Sequence, residues 1–255
     1  MPLLILEGVT KRFGGLTAVD SVNLELDCGE TIGIVGPNGS GKTTLFNIIS
    51  GVYKPDRGRI IFEGRDITNL PTYKRSHLGI GRTFQIPRPF GSATVRENVA
   101  IGAMFGTLSG KVNIDKAMAI SDYYLRLIGF YEHGDKLAGK LTPVEKKMME
   151  IARALAMKPK LLLMDESMAG MPPKDIDMIV NLLKKVKGEE GIAVVSMVEH
   201  IMRAVTGFAK RVIVMHNGRK IVDAATLEAL NDPKVIDIYL GRPSKETGDV
   251  KDRQP

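Results

Sequence analysis

Tryptophan is absent from this 255-residue sequence, and cysteine occurs once, as Cys28. A lone thiol closes no internal bridge, which excludes a disulfide scaffold and suits a reducing cytoplasm. Aromatic residues are scarce, at 5%. Long hydrophobic runs are missing as well. The longest stretch without a polar side chain, Val99 to Gly106, is eight residues, whereas a membrane-spanning helix needs about 20. Any membrane role is therefore expected to be peripheral. The first residues, Met1-Pro2-Leu3-Leu4-Ile5-Leu6-Glu7, have no basic segment and no small-residue cleavage site, so they read as a strand and not as a signal peptide. Acidic residues are outnumbered, 29 against 36 Lys and Arg, which leaves a net charge of +7. That excess suits nucleic acid, a membrane surface or a phosphate-rich ligand and selects none of them. A hydrophobic content of 44% and a charged content of 25% describe a globular chain with a sizeable core. They exclude an acidic disordered protein and a collagen. The length allows one or two domains.

The N-terminal part reads as β. Leu3–Leu6, Val19–Leu26, Ile32–Val35 and Arg59–Phe62 are short apolar or alternating runs bounded by Gly and Asp. Thr43–Ser50 reads as a helix. From about residue 90 to 155 strand signals vanish and helical patterns replace them, as in Lys116–Ile128 and Glu145–Met157. This looks like a helical insertion in an α/β core. Lys160–Met164 restores a buried strand. Lys174–Lys187 carries Ile176, Ile179, Val180, Leu183 and Val186 on one helical face, with Pro172-Pro173 before it and Gly188 after it. Ile192–Val198 and Arg211–Met215 are further strands, and Asn217-Gly218 signals a hairpin. The residues beyond Leu240 are polar, as in a disordered tail.

Two segments carry chemistry. Gly36-Pro37-Asn38-Gly39-Ser40-Gly41-Lys42-Thr43 fits G-x-x-x-x-G-K-[ST], placed between a strand and a helix as a phosphate loop requires. Its glycines let backbone N–H groups converge on one point, and the helix N-terminus adds partial positive charge there. Lys42 would reach the β- and γ-phosphates of a nucleotide, Thr43 would ligate Mg²⁺, and Thr44 would add an α-phosphate contact. Downstream, Leu161-Leu162-Leu163-Met164 forms a buried strand that delivers Asp165 and Glu166. Asp165 suits Mg²⁺ binding through water, and Glu166 suits orienting and deprotonating an attacking water. Phosphoryl transfer depends mostly on such placement of charge.

Together these motifs resemble the nucleotide-binding subunit of ATP-binding cassette (ABC) transporters, over roughly residues 3–241. Arg82-Thr83-Phe84-Gln85-Ile86-Pro87-Arg88-Pro89-Phe90 with Thr94-Val95-Arg96-Glu97-Asn98-Val99 is similar to the glutamine-loop region of branched-chain amino-acid importer ATPases. Lys11–Val19 and Asp232–Gly241 resemble the same subgroup. The resemblance implies an α/β P-loop NTPase (RecA-like) core with an N-terminal antiparallel β-subdomain and an α-helical subdomain. Residues 1–88 and 156–241 would form the ATP-binding core with the β-subdomain, 89–155 the helical subdomain with its signature region, and 242–255 a polar tail. It implies further that Phe13 stacks on adenine, with little base selectivity. Gln85 would touch Mg²⁺ or the water and relay the state of the site to a membrane partner. His200 would contact the γ-phosphate. Ala169-Gly170-Met171 would be the turn that meets a second subunit. Ser167 stands where the family usually has proline, so that turn is expected to lose some rigidity but no chemistry.

The departure from the family lies in its signature, LSGGQ or LSYGE, which precedes a helix patterned like Glu150-Ile151-Ala152-Arg153-Ala154-Leu155. The corresponding slot is Leu141-Thr142-Pro143-Val144-Glu145. Thr142 keeps the hydroxyl of the usual serine. Pro143 removes one backbone donor. Val144 replaces a glycine and is expected to crowd the γ-phosphate and to disfavour φ > 0. Lys146 and Lys147 would add positive charge at the dimer face. In this family the signature of one subunit completes the site of the other. An impaired signature beside a competent phosphate loop therefore favours a heterodimer with a second ABC ATPase, with a homodimer as the alternative. The implied assembly comprises separate permease subunits and, indirectly, a solute-binding protein, on the cytoplasmic face of the membrane and without nucleic acid. Other readings stay open at this point: a urea or amide importer, a lipid or lipopolysaccharide exporter, a nucleotide-binding regulator, or a soluble ABC switch acting on DNA or ribosomes.

Overall fold

The computed structural model describes residues 1–190, 192–197 and 207–240. Two sheets organise the chain. In the first, β1 (Leu4–Phe13) pairs antiparallel with β2 (Leu16–Leu26) and with β4 (Arg57–Phe62), and the short β5 (Arg65–Asp66) closes the order β2-β1-β4-β5. β1 runs well past the apolar stretch Leu3–Leu6. Its register shifts between Leu6 and Val9, where Gly8 has φ +56°, and this irregularity interrupts the two-residue periodicity that marks a strand in sequence.

The second sheet carries the chemistry. Its order is β10 (Arg219–Ala225), β9 (Arg211–His216), β3 (Thr31–Val35), β8 (Ala193–Met197), β7 (Leu161–Asp165) and β6 (Ile80–Thr83). All neighbours are parallel except β10, which returns antiparallel on β9 through Asn217 and Gly218. Both turn residues have positive φ, 48° and 78°, as a two-residue hairpin needs. β3 and β7 are buried at every position, as expected of central parallel strands covered on both faces. Each fully buried Leu or Ile there contributes about 1.5–3 kcal/mol relative to exposure.

Helix α1 (Lys42–Ile49) follows β3 and packs its Leu45, Phe46, Ile48 and Ile49 into the core shared by the two sheets. Its C-terminal carbonyls are met by Arg75, a residue with no motif to announce it. The buried guanidinium donates to Ile48 O at 2.7 Å, Ile49 O at 2.9 Å, Leu70 O at 2.9 Å and Thr68 O at 3.1 Å. A cation at this helix end is favourable because the carbonyls carry the negative end of the macrodipole. Burial nevertheless lowers its pKa to about 10. Arg75 lies on α2 (Thr72–Leu78), which, like β6, has no strong sequence signal.

Between β6 and β7 the chain forms α3 (Val95–Phe105), α4 (Ile114–Leu127) and α5 (Pro143–Ala156), whose apolar faces share one core. Thr94 and Glu97 form a reciprocal capping box at the start of α3, and Asn113 caps α4. Helix α6 (Pro173–Glu190) follows β7 and packs Ile176, Ile179, Leu183 and Val186 on the same core. No helix among the described residues is long and apolar enough to cross a membrane. The tail 242–255 lies outside the described residues.

Candidate functional site

The C-terminal ends of β3, β7 and β6 converge, and each delivers one part of the site. Beyond β3 the loop Gly36–Gly41 turns tightly, with φ of 150° at Gly36, 77° at Gly39 and 102° at Gly41. A side chain at Gly36 would collide with the Met215 carbonyl, and one at Gly41 with the Ala18 carbonyl. Glycine is required at both positions by conformation and by space. The β9–β10 turn buttresses the loop from behind, since Gly218 N donates to Ser40 O at 3.0 Å. Gly41 is the N-cap of α1, where no side chain caps the helix and no acidic residue occupies the first turn. That N-terminus presents backbone N–H groups and a positive dipole end, the chemistry of an anion site.

Lys42 is buried inside the curl, and its ammonium donates to Gly36 O at 2.8 Å, Pro37 O at 2.9 Å and Ser40 Oγ at 3.3 Å. Thr43 is exposed at the mouth. A cleft of about 440 Å³ is lined by Gly39, Gly41, Lys42, Thr43, Thr44, Phe13, Leu16 and Asn217. Phe13 therefore shares the cavity of the phosphate loop. Its ring is 42% exposed and meets Tyr53 edge-on at 5.2 Å, so it is not a core aromatic.

Asp165 ends β7, and Arg82 of β6 donates to its Oδ2 at 2.8 Å. The same guanidinium donates to Asn47 Oδ1 at 2.7 Å and Ser50 Oγ at 2.9 Å, both on or next to α1. Arg82 thus ties the carboxylate at the end of β7 to the helix that follows the phosphate loop. Glu166 is next, in the left-handed region with φ +45°. Its Oε2 accepts from Gln85 Nε2 at 2.6 Å. Gln85 and Glu166, 81 residues apart in sequence, are thus in direct contact.

Ser167 corrects an expectation. Its hydroxyl is buried and hydrogen-bonded to Thr83 Oγ1, which also accepts from Asp165 N at 3.3 Å. The turn after Glu166 is fastened to β6 by a tertiary hydrogen bond where the family usually relies on a proline ring.

The signature slot requires a second correction. Thr142 is the N-cap of α5. Its Oγ1 accepts from Glu145 N at 3.3 Å, while Glu145 Oε2 accepts from Thr142 N at 2.6 Å. Pro143 sits at the first helical position, where its missing N–H has no intrahelical partner to lose. Val144 is helical, with no positive φ, so the backbone objection to a β-branched residue does not apply. Its side chain packs against the helical core. The carboxylate of Glu145 sits over the helix N-terminus, 3.0 Å from Lys136 Nζ and 3.4 Å from His133 Nδ1. The Thr142 backbone donor, with Lys136 beside it, holds its pKa down at about 2.

Arg82 and Thr83 are expected from sequence only as part of the glutamine-loop region, with no role of their own, and Lys147 is expected as positive charge at the dimer face. Arg82 and Thr83 belong to β6, where a buried arginine imitates an exposed strand position. The family spacing would have found them only through the partner at Asp165. Lys147 turns inward and not toward an open face. His200 lies outside the described residues.

The donor types at the ends of β3, β7 and β6, on Thr43, Asp165 and Gln85, suit a nucleotide with Mg²⁺. One carboxylate, one hydroxyl and one amide are hard oxygen donors, and Mg²⁺ takes its remaining ligands from phosphate and water. The described residues contain no cluster of three acidic, His or Cys side chains that would build an all-protein metal cage.

Known proteins agree with this arrangement. The ABC transporter family pattern matches residues 19–169. The high-affinity branched-chain amino acid transport ATP-binding protein BraF of Pseudomonas aeruginosa is 33% identical over 251 residues, covering 94% of this chain and 98% of that protein. The crystal structure of a nucleotide-free ATP-binding cassette from an ABC transporter superposes with a TM-score of 0.83 at 36% identity, covering 94% of this chain and all (100%) of that one. A dimeric cassette in a post-hydrolysis state, bound to ADP and phosphate, matches with a TM-score of 0.80 at 26% identity, covering 88% and 98%. A glycine-walled phosphate loop at the end of β3, an Asp-Glu pair at the end of β7 and a glutamine reaching that pair from β6 occur here on the fold those cassettes share: the chain belongs to the ABC transporter family and is a nucleotide-binding cassette of it.

Proposed function

We propose that this ABC ATPase powers the import of branched-chain amino acids through separate permease subunits, from the inner face of the membrane. The observation that carries the reading is the Gln85–Glu166 contact. It ties the carboxylate after β7 to the rim of a second cleft of about 640 Å³, lined by Phe84, Ile86, Phe90 and Phe105 beside Arg82, Gln85 and Asp165. Those aromatic and aliphatic side chains are exposed, and an exposed apolar patch that borders a reactive site suits a docking partner. The branched-chain specificity is supported by the name of BraF.

In this reading the loop Gly36–Gly41 and the N-terminus of α1 hold the phosphates. Lys42 exchanges its carbonyl partners for phosphate oxygens, and Phe13 offers its face to the base. Thr43, Asp165 and Gln85 would hold Mg²⁺, which would supply positive charge to neutralise the transferring phosphoryl group. Glu166 leaves Gln85 and orients the attacking water; the γ-phosphate contact that the family resemblance gives to His200 falls outside the described residues. The test is transport of a branched-chain amino acid in a reconstituted transporter. Uptake should require this chain and should disappear in Glu166→Gln with ATP still bound. Uptake that survives Glu166→Gln rejects the assignment.

We propose further that the functional unit is a heterodimer with a second ABC ATPase. The Glu145 carboxylate occupies the helix end that should face the partner's γ-phosphate, and Val144 stands where the family's signature has a glycine. Val144→Gly in the assembled complex should raise the ATPase rate or ATP-driven dimerisation. No gain in either means that this signature works as it stands.

A further inference from the structure

One face of α5 grips the catalytic segments from outside the nucleotide cleft. Lys147, Glu150 and Arg153 are spaced three residues apart and share that face. Arg153 donates to Arg88 O at 3.2 Å, and Glu150 accepts the N–H of Phe84, so both hold the segment that contains Gln85. Lys147 reaches the other side. Its ammonium stands between two carbonyls of the turn after β7, 3.4 Å from Glu166 O and closer to Ala169 O. Glu166 O also accepts from Ala169 N at 3.0 Å, so the turn is closed both by the backbone and by the lysine.

This turn begins at a strained residue. A non-glycine residue at φ +45°, such as Glu166, costs about 1 kcal/mol or more and persists only where its surroundings enforce it. A compact ammonium with three donors can bind both ends of a four-residue turn. It also brings positive charge toward the carboxylate that must point at the attacking water. Lys147 is half-buried, and desolvation lowers its pKa while the Glu166 and Glu150 charges support it.

We propose that Lys147 is a positioning residue for Glu166: its ammonium clamps the two carbonyls that bracket residues 166–169, holds Glu166 in its left-handed conformation, and makes the aim of that carboxylate depend on where α5 sits. The proposal rests on the reading of Glu166 as the water-orienting group. It adds a route within one subunit from the signature helix to the reacting water. A shift of α5 pulls on Lys147, and the pull reaches the backbone of Glu166 directly.

The test uses the assembled complex with its partner ATPase, carrying this chain as wild type, Lys147→Met, Lys147→Arg or Glu166→Gln. Steady-state ATP hydrolysis, equilibrium ATP affinity and the melting temperature are measured for each. Lys147→Met keeps the apolar stem and loses the charge. It should lower kcat about ten- to a hundredfold, the scale of a misplaced reacting group. KM, ATP affinity and melting temperature should stay close to wild type, and Lys147→Arg should recover much of the lost kcat. A purely structural role would lower stability and affinity together and would not be rescued in kcat alone. The proposal is overturned by wild-type kcat in Lys147→Met, by a kcat loss matched by weaker ATP binding or melting, or by an arginine variant as slow as the methionine one. An inactive Glu166→Gln beside an unimpaired Lys147→Met removes the role of Lys147 alone. An active Glu166→Gln removes the assignment of Glu166 itself.

Discussion

Arg82→Met isolates the arginine that joins three parts of the site. The guanidinium and the Asp165 carboxylate are 8% and 4% exposed, and their ion pair spans 2.8 Å. Removing one partner of a buried pair leaves an uncompensated charge and costs about 3–5 kcal/mol. At roughly 2–4 °C per kcal/mol for a chain of this size, the melting temperature should fall by about 6–20 °C. Arg82→Met/Asp165→Asn leaves no stranded charge and should be more stable than the single variant, with a coupling of about 1–3 kcal/mol. Calorimetry or urea unfolding of the nucleotide-free chain reads both quantities. Mg²⁺ with nucleotide should raise the melting temperature of Arg82→Met by more than that of wild type, because the cation replaces the lost counter-charge. A single variant that melts within about 2 °C of wild type, or a double variant whose effect is the sum of the two singles, refutes the reasoning.

Glu150 gives the chain a pH dependence. Burial pushes its pKa up to about 7 from an ordinary value of 4.5. A carboxyl with a raised folded-state pKa contributes stability that is fully present below about 4.5 and is lost as pH rises through about 7. The full span amounts to about 3 kcal/mol. Urea unfolding at pH 5 and pH 8 should show the loss in wild type and a smaller one in Glu150→Gln; equal losses in both would reject it. Gly41→Ala forces a side chain against the Ala18 carbonyl at φ +102°. It should abolish ATP binding and destabilise the chain by at least about 1–3 kcal/mol, read by equilibrium binding and by thermal unfolding; retained binding would mean that the loop tolerates a different path.

The phosphate loop was legible in the sequence because its chemistry is local. Glycines, lysine and threonine at fixed spacing between a strand and a helix define the curl before any tertiary contact exists. The same holds for the buried run Leu161–Met164 and for the Asn217-Gly218 turn. The sequence by itself determined which groups would handle phosphate. The tertiary structure decided what those groups lean on. β6 and β7 are neighbours only through sheet order, and that pairing sets Arg82 against Asp165 and Gln85 against Glu166 across more than 80 residues. The loss of rigidity expected at Ser167 ignored Thr83, which no local pattern places beside it. The backbone objection to Val144 failed because Thr142, Pro143 and Glu145 together cap a helix, a property of φ, ψ and hydrogen bonds and not of residue type alone. Local steric demands write themselves into sequence, whereas the partners of a buried charge are chosen by the fold that surrounds it.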